Sequence, residues 1–163
     1  MIANEIIHVT TANRVTFEDI TEAVQKAVTA AGIKNGTAFI FTPHTTCSVF
    51  IQENSDDVNY WGNEYLMQDL LNVFEKVVPT CTSEGQYLFP GPKHVVEATK
   101  RGEKPCWTLN TDGHLRSILV GQSSFVPVID SELFLGAFGR VFFADFDQVR
   151  ARDRKIVVQV NGE

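Results

Sequence analysis

The chain has 163 residues, 44% of them apolar and 21% charged, with a formal net charge of −6. That length suits one domain with one core, and the composition excludes an intrinsically disordered chain. The acidic balance is the wrong sign for a protein that neutralises nucleic-acid phosphates, so nucleic acid is not expected as a partner.

No apolar run approaches the roughly 18 residues of a membrane span, and the first residues lack the basic-then-apolar pattern of a secretion signal. No membrane partner is expected, and a cytoplasmic location is the default. Cys47, Cys81 and Cys106 have no CxxC spacing and read as reduced thiols.

In chain order, residues 4–10 read as a strand. A helix is predicted over 16–31, with Thr16 as N-cap, Asp19 as its capping-box partner and Gly32 just past the end. Its apolar stripe is Phe17, Ile20, Val24, Ala27, Val28 and Ala31. After the Asn35-Gly36 turn come two β-rich runs, 37–42 and 46–53, joined as a hairpin at the Pro43-His44-Thr45 corner. A second helix is predicted from an Asn54 or Ser55 cap to Val77, stopped by Pro79.

Residues 79–108 hold four of the six prolines and read as a long ordered excursion with a short helix over 92–102. A helix opened by Thr111 or Asp112 follows. Strands are then predicted over 124–129, 132–146 and 155–161, with a turn at Asp130-Ser131. Arg150, Arg152, Arg154 and Lys155 interleave with Asp153 and read as a solvated turn. The fold class is α+β: an antiparallel sheet or jelly-roll-like β-sandwich with two to four covering helices, in one domain over 1–163.

The candidate chemistry centres on histidines. His8 sits in an alternating strand and needs no further role. His44 follows a proline at a strand corner and precedes Thr45 and Thr46, so an imidazole and two hydroxyls crowd one region suited to an anion or a metal. A histidine bonded to a loop carbonyl is the competing reading. His114 lies in the first turn of its helix, near Asn110, Arg116 and Ser117, where free backbone N–H groups and a guanidinium suit a phosphate. A surface histidine on a capped helix is the alternative there. His94 is ambiguous. Two histidines and a carboxylate would hold a divalent ion, zinc or magnesium, with an open position. Cys47 would be a nucleophile only within reach of His44.

Four segments, "HTTCSVFIQENSD", "QDLLNVFEKVVP", "NTDGHLRSILVG" and "SSFVPVIDSELFLGAFGRVFFADFD", occur in an order that resembles the YjbQ-like family, often labelled secondary thiamine-phosphate synthase. The resemblance implies an α+β or jelly-roll-like domain that forms homotrimers, with a site at His44, Asn54, Asp56, Asp69, Asn110, His114 and Ser117. It implies a transferase that joins a hydroxymethylpyrimidine diphosphate to a thiazole phosphate with release of pyrophosphate. On that basis His44, His114 and Asp69 are expected to be catalytic. Thr45, Thr46, Asn54, Asn110, Arg116 and Ser117 are expected to bind the substrate, a small phosphorylated metabolite, and His44, His114 and Asp56 the metal. The chain departs from the family where Gly136-Ala137-Phe138-Gly139 replaces a Gly-Thr-Trp-Gln, and a Tyr-x-His element is displaced or lost within 79–108. Two other readings remain: a metal-dependent hydrolase or lyase on a phosphorylated metabolite, and a non-catalytic trimeric module that binds an anion.

Overall fold

A computed structural model describes residues 1–163. Its strands are β1 (Ile2–Thr10), β2 (Thr16–Asp19), β3 (Gly36–Phe41), β4 (Cys47–Glu53), β5 (Ser123–Ile129), β6 (Glu132–Leu133), β7 (Gly139–Asp145) and β8 (Asp153–Gly162). Its α-helices are α1 (Thr21–Ala31), α2 (Tyr65–Val77), α3 (Pro92–Lys100) and α4 (Thr111–Val120), with a 3-10 turn at Pro105–Thr108. The strands form a five-stranded sheet, β1-β8-β3-β5-β6, and a three-stranded sheet, β2-β7-β4. All pairings are antiparallel.

Alternation along the strands sorts their side chains. On β8, Ile156, Val158 and Val160 point inward, while Lys155 and Asn161 are exposed. These residues join Ala38, Ile40, Val126 and Val128 from the same sheet in a 17-residue core, closed on its other side by Val24 and Val28 of α1 and by Val49, Val141 and Phe143. A smaller cluster of Val15, Phe74, Ala144 and Phe146 fixes α2 beside the three-stranded sheet. The α+β two-sheet architecture expected from the sequence is therefore the observed one, and the helices predicted over 92–102 and after Thr111 are present.

Four local expectations fail, each for a physical reason. Thr16 does not cap a helix, because residues 16–19 add to the edge of β7 as β2 and Phe17 meets Phe146 edge-on at 6.1 Å. The helix begins at Thr21, whose N–H donates to the Asp19 carboxylate at 2.9 Å. The second helix begins at Tyr65 and not at 54 or 55, because side chains capture the backbone between them. There Asn59 accepts from the Trp61 and Asn63 N–H groups at 2.9 and 3.0 Å, and Glu64 from that of Ser55 at 2.7 Å.

The runs either side of the Pro43 corner are no hairpin: β3 and β4 belong to different sheets, so the corner carries the chain across the end of the sandwich. The run 132–146 likewise breaks between β6 and β7. Gly136 there has φ +75°, and a Cβ on Gly139 would lie 2.3 Å from the Leu135 carbonyl oxygen, so the crossing requires glycine at both positions.

Candidate functional site

The His44 corner, the start of α4, the loop after β7 and the α3-to-3-10 segment converge on one polar cavity of about 280 Å³ at the end of the sandwich. Its floor is a set of ion pairs. Arg154, 5% exposed, places Nε 2.7 Å from Asp145 Oδ2, and its Nη2 donates to Asp145 Oδ1 at 3.1 Å and to Thr46 Oγ1 at 3.0 Å. Thr11 donates a further hydrogen bond to Asp145, at 3.0 Å. Asp147, also buried, lies 2.9 Å from Arg152 Nη2 and accepts from Asn110 Nδ2 at 3.3 Å. Arg152 and Arg154 thus line the cavity and do not form a solvated turn. The inward face of β8 carries Arg154 in line with Ile156 and Val158.

His44 is oriented from two sides. Its Nε2 accepts the Lys155 N–H at 2.9 Å, which puts the neutral ring's proton on Nδ1, and Gln122 donates to its carbonyl at 3.0 Å. Burial, with the Arg154 charge adding, holds the imidazole below its ordinary range. His114 sits in the first turn of α4. Burial lowers it too, against a backbone hydrogen bond with Thr45 and the Asp147 charge. Both rings are neutral at pH 7: with Nε2 taken by the Lys155 N–H, His44 offers its Nδ1–H to an anion, while His114 keeps a nitrogen that can accept a proton.

Of the residues expected at a site, His44, Thr45, Thr46, Asn110 and His114 meet at this cavity. Others lie elsewhere. Arg116 is two residues past His114, about 200° round a helix, and faces the other way. Its Nε donates to the Val78 carbonyl at 3.2 Å and its Nη2 to Glu75 at 2.7 Å. The Ser117 hydroxyl donates to the Cys47 carbonyl at 2.6 Å and ties α4 to β4. Asp69 is exposed on α2. Asn54 donates to Asp56 at 3.1 Å beyond the far end of β4, about 20 Å of strand from Cys47.

Asp56 therefore does not join His44 and His114, and no three His, Cys, Asp or Glu side chains gather as a metal-holding group. With the His44 Nε2 lone pair also engaged, the residues do not fit the expected divalent ion. Cys47 is fully buried, and its thiol is pushed up by that burial and by Asp145, so it is no nucleophile. His94, Arg101, Glu103, Trp107, Asp147, Arg152 and Arg154 also line the cavity without having been singled out as site residues. The alternation Arg154-x-Ile156-x-Val158 was the readable signal for Arg154.

The lowered histidines predict a pH dependence. A group whose folded value is depressed leaves the unfolded chain binding more protons between the two values, so stability rises with pH there. Stability is expected to fall as pH drops below about 6.5, the unfolded histidine value. Saturating phosphate, which favours the protonated rings, is expected to reduce that fall in denaturant titrations between pH 7 and pH 5.

The fold and this cavity define a class: small two-sheet α+β proteins with a histidine-lined polar site at one end. The chain belongs to the family described as UPF0047 protein YjbQ-like, whose pattern matches residues 5–163. It is 32% identical to a UPF0047 protein of Methanothermobacter thermautotrophicus over 94% of this chain and 87% of that one. Against a UPF0047 protein of Archaeoglobus fulgidus the identity is 34%, over 87% and 90%. A crystal structure of a YbjQ-like protein of unknown function from Sulfolobus solfataricus superposes with a TM-score of 0.76 at 25% identity, covering 100% of this chain and 99% of that one. A Clostridium acetobutylicum protein of the yjbq/upf0047 family gives 0.72 at 29% identity, covering 96% and 99%. No helix is long and apolar enough to cross a membrane.

Proposed function

We propose that the protein binds a small phosphorylated metabolite in the His44–His114 cavity and acts on it as a transferase of the thiamine-phosphate-synthase type. The observation that carries the reading is the pair of neutral imidazoles beside Arg152, whose Nε has no acceptor within the chain. A phosphate oxygen would join Asp147 as a partner of that guanidinium where it lines the cavity, while the Thr45 and Thr46 hydroxyls and Asn110 add polar groups to the same wall. In the condensation, the carbon–oxygen bond to pyrophosphate breaks as the thiazole nitrogen forms the new carbon–nitrogen bond. Arg152 and the imidazoles then stabilise the charge gathering on the departing oxygens.

The test is pyrophosphate release by purified protein given hydroxymethylpyrimidine diphosphate and thiazole phosphate. Turnover is expected, and His114→Ala is expected to reduce it about a hundredfold or more. Pyrophosphate binding without turnover would replace the transferase by an anion-binding module. The absence of both binding and turnover would overturn the reading.

Self-association belongs to the same proposal. The outer face of the five-stranded sheet presents Ile6, Val157, Phe39, Phe41 and Phe125, with the Phe39 and Phe125 rings 4.7 Å apart and Phe125 66% exposed. A contiguous apolar patch of this kind suits a contact with further copies of the chain, and the homotrimer is the assembly we propose.

A further inference from the structure

We propose that His94 is a third ligand-contacting imidazole of this cavity, donating a ring N–H to the phosphate oxygens of the bound anion; the proposal rests on the anion-binding reading above. Gly91-Pro92 opens α3 with proline at its start, which places His94 in the first turn, and its side chain lines the cavity with His44 and His114. Between His94 and His114 stands Phe89. Its ring centroid is 4.5 Å from that of His94 and, in an edge-on contact, 5.5 Å from that of His114. Phe89 packs against both imidazoles, yet a hydrocarbon ring satisfies neither; one His114 nitrogen is taken by Thr45, which leaves its other nitrogen and the His94 ring to a ligand. The two histidines also sense each other, since the His94 charge is one of the influences that lower His114.

The segment bearing His94 is a fixed wall. Thr111 Oγ1 donates to the Phe89 carbonyl at 2.6 Å, tying its near end to the start of α4. Further along, Ala98 is buried, Arg150 donates to Glu103 at 3.1 Å, and the Arg150 guanidinium lies 4.2 Å from the centre of the Trp107 ring. A ring held in place at a cavity rim gives up little conformational freedom when an anion binds.

The experiment titrates inorganic pyrophosphate into the nitrogen-labelled full-length protein and follows the imidazole resonances, with affinities measured by calorimetry. The His94 ring signals are expected to shift together with those of His44 and His114. His94→Ala and His94→Phe are each expected to weaken pyrophosphate binding about tenfold, as for the loss of one charge-assisted hydrogen bond. His94→Phe keeps an aromatic ring against Phe89 and so separates contact with the ligand from packing. Movement of His44 and His114 without His94, or wild-type affinity in His94→Phe, would overturn the proposal while leaving the anion-binding reading intact. If no imidazole moves, the anion-binding reading falls and this proposal with it.

Discussion

Arg154→Met is expected to lower the free energy of unfolding by about 3–5 kcal/mol, the cost of stranding a buried charge. Asp145 is fully buried, and without Arg154 it keeps only hydroxyls from Thr11 and Thr46 and the Asp147 N–H at 3.0 Å. Denaturant titration at pH 7 checks the size of the loss. The double variant Asp145→Leu, Arg154→Met removes both charges and is expected to recover part of it, the remainder being the cost of leaving the Asp147 N–H and the Thr46 hydroxyl without their acceptor. A single-variant loss below about 1 kcal/mol, the range of solvent-screened pairs, would show that the floor of the cavity is wet.

That floor shapes what the cavity recognises. Arg152 and Arg154 are set against Asp147 and Asp145, so an entering anion meets no bare cluster of positive charge. Under the proposed function, selection rests on directed N–H and O–H groups, the His44 Nδ1–H among them, and on a His114 ring that gains charge as an anion arrives. An acidic protein with a net charge of −6 would, under that anion-binding proposal, in this way hold a small phosphate without attracting polyanions.

The sequence disclosed this site by halves. His44 with its threonines, and Asn110 with His114, stood out because polar groups interrupt apolar runs at a corner and at a helix start. Strand alternation and helical periodicity gave most elements, because those periods record burial directly. The strand at Thr16–Asp19 was hidden by a sequence that also suits a helix start, and pairing with β7 decided between the two. The crossings after Phe41 and Leu133 were unreadable, because nothing local says which sheet a strand will join. Asp145 and Asp147 were missed for the same reason: their partners Arg154 and Arg152 meet them only once the two sheets close. Arg116 shows the converse error. Its nearness to His114 in sequence suggested a shared ligand, and helical geometry turned it to the opposite face.

Arg116→Leu follows from that placement as an effect on stability and not on binding. The guanidinium is 1% exposed and holds the Val78 carbonyl through Nε and Nη2 at 3.2 and 2.8 Å, with Asp112, itself 2% exposed, 3.8 Å away. Glu75 at 2.7 Å is half exposed and adds little. Removing the cation leaves the buried Val78 carbonyl without its donor and the Asp112 carboxyl with Gln148, at 3.2 Å, but without its counter-charge, for an expected loss of about 3 kcal/mol. The pH dependence identifies the carboxyl. Burial already raises Asp112 above the ordinary carboxylate range, with Arg116 opposing, and the substitution raises it further. A carboxyl raised on folding leaves the native state binding more protons than the unfolded chain, so stability falls as pH rises through that window. The deficit of Arg116→Leu is therefore expected to grow between about pH 4 and neutrality, in the direction opposite to the histidine effect. Arg116→Lys keeps a charge near Asp112 and provides a milder variant that folds. Pyrophosphate affinity is expected to stay within about twofold of wild type in both, because neither change reaches the His44–His114 cavity. A tenfold loss of affinity in a folded Arg116→Lys protein would return Arg116 to the ligand.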